Sequence, residues 1–317
     1  MDNSSLNILV YGFYQNQNLG DDFFQDAFYK IFPQLNFKFV NKLTKEDLLK
    51  YDNIFFGGGS FVYSCINMED NVFDILKTKN IFYIGIGIEK TIHNQHIELM
   101  KVAKLIATRS EEEFDNLIKL NENVLIIPDI VYSLKEDIET SNNNKILFIP
   151  NISVVPNNKS EHWQHTSWNY FKSEISQALD ELNYKIDFMA MSDAHKLNDN
   201  LAAAEIINLT ICKPNILNKP KNFKETVELL SKYKMIITQR FHGIVLSEIL
   251  NKNYISIYHH DKLKNSKPHN GESISYYGFN KNLFLSKINS LKESNYKPIN
   301  SNIFKELNKQ ILNLLGV

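Results

Sequence analysis

The chain has 317 residues, 43% of them hydrophobic, enough for two domains of about 150 residues, each with its own core. Its 35 Lys and Arg against 36 Asp and Glu leave a formal charge of −1, which argues against nucleic acid or a polybasic membrane surface as the main partner and points to something small or neutral. No basic region precedes the first apolar stretch, as a signal peptide requires, and the longest strongly apolar run, IFYIGIGI, is too short for a transmembrane segment, so a soluble cytoplasmic protein is expected.

In chain order, LNILVYGF, FKFVNKL, NIFFGGG, NIFYIGIGI, KLIATR and NVLIIPD read as strands, and DDFFQDAFYKIF and SEEEFDNLIKL space their apolar residues as helices do. KEDIETSNNNK, residues 135–145, is polar without periodicity and reads as a linker. The alternation then restarts with KILFIPN, a helix near WNYFKSEISQALDEL, KIDFMAMS, a helix near NLAAAEIIN, LTICK as a strand, and a helix near KETVELLSKY. MIITQR, GIVLSEILN, YISIYHH and a last amphipathic helix, NIFKELNKQILNLL, complete it. The expected fold is α/β: two doubly wound Rossmann-like domains, 1–138 and 139–317 with the terminal helix on the second, their strand ends facing a cleft. Cys65 and Cys212 lie inside or beside apolar segments of different halves and read as reduced core thiols, not a disulfide framework.

Arginine occurs only at 109 and 240, the other 33 basic residues being lysine, and both arginines end an apolar strand. A guanidinium grips a carboxylate or phosphate at two points, which Lys cannot copy. Strand ends are therefore where the chemistry is sought. In NLGDD (Asn18, Gly20, Asp21, Asp22), Gly20 permits a positive φ, and Asp21 or Asp22 caps the following helix or contacts a ligand. Gly57, Gly58, Gly59 and Ser60 leave bare backbone after NIFF and suggest the floor of a substrate pocket, without the spacing of a GxGxxG fingerprint or a P-loop. Arg109 stands beside a helix N-terminus, where a cation needs either an intervening anion or a partner in the Glu run that follows. Arg240 and His242, two apart, share a face of an extended segment, and a helix beginning near Gly243 directs N–H groups to the same space: an anion site with a proton donor beside it. Lys262 follows at the neighbouring strand end.

His259 and His260 are adjacent and point apart, and His162 and His165 have no better ligand spacing, so no metal is expected. Trp163 and Trp168 are assigned to a strand-end loop, where they stack on a sugar or fill the loop's core.

NLGDD, GGGS, TRS with IIPD, and ITQRFHGIVLSEILNKNYISIYHHDK resemble in order and spacing the polysaccharide pyruvyl transferases, over roughly residues 7 to 265. The resemblance implies the two-domain glycosyltransferase B fold and transfer of the enolpyruvyl part of phosphoenolpyruvate onto two sugar hydroxyls, giving a pyruvate ketal and phosphate. It matches Arg109 to the family's mid-chain Arg that contacts phosphoenolpyruvate, Arg240 and His242 to its Arg-x-His, and Lys262 to the Lys of its Asp-x-Lys-like segment. Two departures are Ser110, where an acidic residue commonly follows the first Arg, and Gly20-Asp21-Asp22, where Gly-Asp-Glu is more usual.

The residue types suit that chemistry. Two guanidinium forks, Lys262 and a helix end match a donor carrying a carboxylate and a phosphate, with no cofactor besides this donor substrate. His242 is assigned as general acid toward the methylene carbon, and Asp21 or Asp22 as the group that orients or deprotonates a sugar or glycan acceptor, free or lipid-linked. Asn18, Gly20, Gly58, Gly59, Ser60 and Trp163 are placed on the acceptor side. A cytoplasmic location, with or without peripheral membrane attachment, follows. Two rivals stand beside this reading: a nucleotide-sugar glycosyltransferase using Glu248 on the ribose, and a catalytically silent sugar- or anion-binding module.

Overall fold

Apolar strands alternating with amphipathic helices build two α/β units in the computed structural model, which describes residues 6–88, 91–135, 143–194, 197–260, 263, 271–291 and 300–317. The first unit holds β1 (Asn7–Tyr11), α1 (Leu19–Ile31), β2 (Asn36–Val40), α2 (Lys45–Lys50), β3 (Asn53–Gly59), α3 (Phe73–Lys77), β4 (Asn80–Ile86), α4 (Asn94–Val102), β5 (Leu105–Thr108), α5 (Phe114–Leu120) and β6 (Val124–Ile126). Its six strands are parallel in the order β2-β1-β3-β4-β5-β6. Strand order reverses between β1 and β3, so NLGDD and GGGS leave the sheet at the switch point, where open α/β sheets bind ligands.

The triple glycine has a packing role. A methyl group on Gly57 would lie 2.3 Å from the Phe28 ring and one on Gly58 2.3 Å from Phe24, so these glycines let the aromatic face of α1 lie directly on β3. Gly58 and Gly59 also take φ of 70° and 92°. Gly58 is therefore covered by Phe24 and is not the bare pocket floor its sequence suggests.

The second unit holds β7 (Lys145–Ile149), α6 (His162–Glu181), β8 (Lys185–Met189), the short hairpin β9 (Asp193–Ala194) and β10 (Leu197–Asn198), α7 (Asp199–Ile207), β11 (Asn215–Leu217), α8 (Phe223–Ser231), β12 (Met235–Thr238), α9 (Phe241–Ile249), β13 (Asn253–Tyr258), β14 (Gly271–Ser275) and α10 (Lys281–Ser290). Its six-stranded sheet is parallel in the order β11-β8-β7-β12-β13-β14, with the switch point between β7 and β12. QRFHG leaves the sheet there.

Several expectations are corrected. The terminal helix, α11 (Asn302–Leu315), belongs to the first unit: it buries Phe304, Leu307 and Ile311, and Gln34 Nε2 donates to Asn308 Oδ1 at 2.8 Å. Its periodicity reveals a buried stripe but not which sheet the stripe covers. The division between units falls at Leu134/Lys135, and Gln17–Gly20 groups with the second unit; residues 136–142 of the expected linker lie outside the described residues. LTICK is not a strand: the Asp180 carboxylate accepts from Ile211 and Cys212 N–H at 2.9 Å, leaving the Ile211 side chain 86% exposed, and the sheet is extended by Asn215–Leu217 instead. Cys65 and Cys212 are exposed, not core thiols. HWQHTSW is the start of α6, not a loop; Trp168 is buried on it and Trp163 exposed. Among the described residues, no helix is long and apolar enough to cross a membrane.

Candidate functional site

The second unit gathers its polar side chains at the switch point. β12 ends in a tight turn in which Thr238 Oγ1 accepts from Arg240 N–H (3.0 Å) and donates to Arg240 C=O (2.9 Å). Gly243 is forced by the same turn, since a methyl there would lie 2.1 Å from Thr238 Oγ1, and its N–H donates to Arg240 C=O at 3.0 Å. The helix accordingly starts at Phe241, with Arg240 as its N-cap, not near Gly243. Strand alternation does not govern Arg240 and His242, and their side chains take different surroundings.

The Arg240 guanidinium turns to Asp199 in a two-point pair, Nε donating to Oδ2 at 3.1 Å and Nη2 to Oδ1. Nη1 has no hydrogen-bond partner among the described residues, and the side chain is 19% exposed. Asp199 is fully buried; Oδ1 also accepts from Ile152 N–H (2.9 Å), and Oδ2 from the N–H groups of Met191 (3.2 Å) and Ser192 (3.0 Å). Gln239, directly before Arg240, reaches the neighbouring strand end, its Oε1 accepting from Asn151 N–H at 3.0 Å, while the buried Gln239 Nε2 and Ser192 Oγ have no partner among the described residues.

His242 lies in the first turn of α9, 9% exposed, its ring against Gly20: a methyl on Gly20 would stand 2.2 Å from Nδ1. This explains the glycine of NLGDD better than a turn does. Gly20 is helical, without positive φ; Gln15 and Gln17 carry the left-handed conformations. The side-chain acceptor at this helix start is Asn18, whose Oδ1 takes Gly20 N–H at 3.2 Å, in place of the cap assigned to Asp21 or Asp22. Asn18 forms an antiparallel bridge with Ser192, Leu19 N–H donates to Met191 C=O (3.0 Å), and Lys219 Nζ donates to Gln17 C=O (2.9 Å). NLG and QRFHG, more than 200 residues apart, thus meet through Gly20 and His242.

The first unit builds a second cluster around Arg109. Its guanidinium pairs with Asp129; Nη2 donates to Ser60 Oγ at 3.0 Å, and the guanidinium carbon lies 6.0 Å from the Phe24 ring centre. The side chain is only 7% exposed. Gly87 makes room for both groups, since a methyl there would lie 2.6 Å from Ser60 Oγ and 2.7 Å from Arg109 Nε. A methyl on Gly59 would lie 3.2 Å from Asp21 Oδ1. Tyr14, buried, donates to Gly57 C=O at 2.5 Å; burial first and the Asp21 charge second push its pKa well up, keeping the phenol a donor. Burial, then the charge of Asp22, raises the pKa of Asp26.

Asp129 and Asp199 were not singled out from sequence. Asp129 enters the sequence reading only within IIPD, as part of the family resemblance, and Asp199 stands at a helix start that the sequence does not set apart. Trp163 joins neither cluster through its described contacts: its Nε1 donates to Glu161 (2.5 Å) and its ring is 5.9 Å from that of Tyr277. Lys262 lies outside the described residues.

The family model for polysaccharide pyruvyl transferase matches residues 13–261. The chain belongs to the polysaccharide pyruvyl transferase family. It is thereby a transferase. Among curated proteins none matches it. Solved structures similar to this pyruvyl transferase family member include UDP-GlcNAc 2-epimerase of Methanocaldococcus jannaschii (11% identity, 97% of this chain and 99% of that chain, TM-score 0.63). Others are Staphylococcus aureus MnaA solved with UDP (10%, 98% and 97%, TM-score 0.65) and a glycosyltransferase of Rickettsia africae (10%, 98% and 99%, TM-score 0.55). At such identities the likeness shows the fold alone, glycosyltransferase B-like with two Rossmann-like units.

Proposed function

We propose that the protein transfers the enolpyruvyl group of phosphoenolpyruvate onto two hydroxyls of a sugar or glycan, forming a pyruvate ketal and releasing phosphate. The observation that carries this reading is the start of α9 at the switch point, where one edge of the Arg240 guanidinium is fixed by Asp199, the other is left over, and His242 lies two residues on. A helix N-terminus and a fixed guanidinium favour an anion, and an imidazole next to it supplies a proton.

His242 protonates the methylene carbon, leaving an oxocarbenium-like centre that the first hydroxyl attacks; the C–O bond to phosphate breaks, and the second hydroxyl closes the ketal. Of the two hydroxyl protons released, one replaces that given by His242 and the other leaves with phosphate. Arg240 binds the donor and stabilises departing phosphate. Lys262 and Arg109 enter as donor ligands on the family likeness, Arg109 with its guanidinium already held by Asp129 and Ser60. Gly243 contributes through the helix end and not through its own N–H. Asp21 or Asp22 serves the acceptor, beside Asn18, Gly20, Gly59 and Ser60. Phosphoenolpyruvate is a substrate here and no cofactor is required; a cytoplasmic location suits that donor.

Glu248 does not suit the ribose role of a nucleotide-sugar glycosyltransferase, because it is buried and its Oε1 accepts from Tyr254 O–H at 2.8 Å. The test is phosphate release from phosphoenolpyruvate against a panel of galactosides and N-acetylhexosamines. Release that depends on one class of sugar supports the reading; thermal stabilisation by a nucleotide sugar, with no release from any acceptor, overturns it.

A further inference from the structure

We propose that Asp199 is a positioning residue of this site, setting the plane and reach of the Arg240 guanidinium so that its remaining edge meets the donor's anionic group. The inference rests on the pyruvyl-transfer reading. An arginine at a helix N-cap has many rotamers, and a long side chain holds one of them only when something else fixes it. Asp199 supplies that constraint. The two carboxylate oxygens receive Nε and Nη2 side by side, which fixes both the position and the tilt of the planar group and directs Nη1 away from the carboxylate.

The carboxylate is itself immobile. Three backbone N–H groups, from Ile152 after β7 and from Met191 and Ser192 after β8, hold it from two other strand ends. Asp199 thus ties the ends of three adjacent strands, β8, β7 and β12, to one guanidinium. The same Met191 that donates to Asp199 accepts from Leu19 N–H, so the anchor extends to the segment whose Gly20 faces His242. Removing the carboxylate releases Arg240 from its fixed orientation without removing its charge. A surface ion pair has no such consequence, but here the acid is wholly buried and the base partly exposed.

The test is a double-mutant cycle on the full-length protein. Wild type, Asp199→Asn, Arg240→Gln and the double variant are compared for the KM of phosphoenolpyruvate at saturating sugar, with folding checked by denaturation. If Asp199 acts through Arg240, Asp199→Asn raises KM about 10- to 100-fold in the wild-type background and less than about threefold once Arg240 is Gln. An equal fold-increase in both backgrounds marks a merely structural role and overturns the proposal. Asp199→Glu, which keeps the charge but displaces the carboxylate, replaces Asp199→Asn in the cycle if the latter does not fold. Should wild type release no phosphate from phosphoenolpyruvate, the function reading fails separately, and the cycle is read by calorimetric binding of inorganic phosphate. Weakening by Asp199→Asn only when Arg240 is present upholds the positioning role; equal binding by all four proteins, or by none, overturns it.

Discussion

The two arginines of this chain occupy matching places in their units, each after a parallel strand and each on a buried aspartate, yet they are committed differently. Arg109 gives Nη1 to Asp129 and Nη2 to Ser60 and is 7% exposed; Arg240 gives Nε and Nη2 to Asp199 and is 19% exposed. The first arrangement surrounds the cation and the second presents it. A guanidinium enclosed by protein partners chiefly stabilises its unit, whereas one held along a single edge offers more donors to a ligand.

The largest expected effect comes from removing each cation. Arg109→Leu and Arg240→Leu both strand a buried carboxylate and should each cost about 3–5 kcal/mol in denaturant unfolding. Arg240→Leu should in addition lower kcat/KM by about 10³ in the variant that still folds, and Arg109→Leu, whose cation is more enclosed, by a smaller factor. Equal kinetic losses for the two would erase the distinction between them.

Acid and alkali offer a second contrast. In the first unit, His96 is buried, its Nδ1 3.0 Å from Tyr83 O–H, and burial, with a smaller push from His93, lowers its pKa to about 3. Between about 3 and 6.5 the unfolded chain binds this proton and the folded chain does not, so stability falls as pH drops through that window, by about 1.4 kcal/mol per pH unit, and levels off below it. In the second unit, Lys252 is buried and its pKa is lowered to about 8. Here the unfolded chain holds the proton between about 8 and 10.4, so stability rises with pH across that range. Denaturant melts of His96→Phe should lose the acid slope, and those of Lys252→Met the alkaline one.

Glycine substitutions refine the comparison at smaller scale. Gly20→Ala should displace the imidazole and reduce kcat by roughly tenfold to a hundredfold with modest loss of stability, whereas Gly59→Ala, at φ 92°, should cost about 1–2 kcal/mol of stability. Trp163→Ala, at a ring 50% exposed, should change stability by less than about 0.5 kcal/mol, and any effect should fall on the sugar's KM.

The strands were legible because a buried parallel sheet demands continuous apolar runs, and NIFF, IFYIGI and MIIT can be little else. LTICK misled because Leu209 and Ile211 look like strand residues, although a carboxylate from α6 captures the backbone that a strand would have paired. Gly57 and Gly58 announced close approach but not what approaches, two phenyl rings from α1, while Gly20 and Gly243, read as a turn residue and a helix start, make room for the imidazole of His242 and for Thr238 of the same turn. Asp129 and Asp199 were hidden for a related reason, since an aspartate at a strand or helix end has the same local grammar whether it caps a turn or holds a cation.

In the proposed reaction the proton comes from His242, two residues after Arg240 in the chain. For His242→Gln, binding of phosphoenolpyruvate by titration calorimetry and sugar-dependent phosphate release are measured separately. The expected result is a donor Kd within about threefold of wild type with turnover reduced about 10² to 10⁴. Retained donor binding with turnover lowered less than tenfold would contradict the acid role and, with it, this reading of the site.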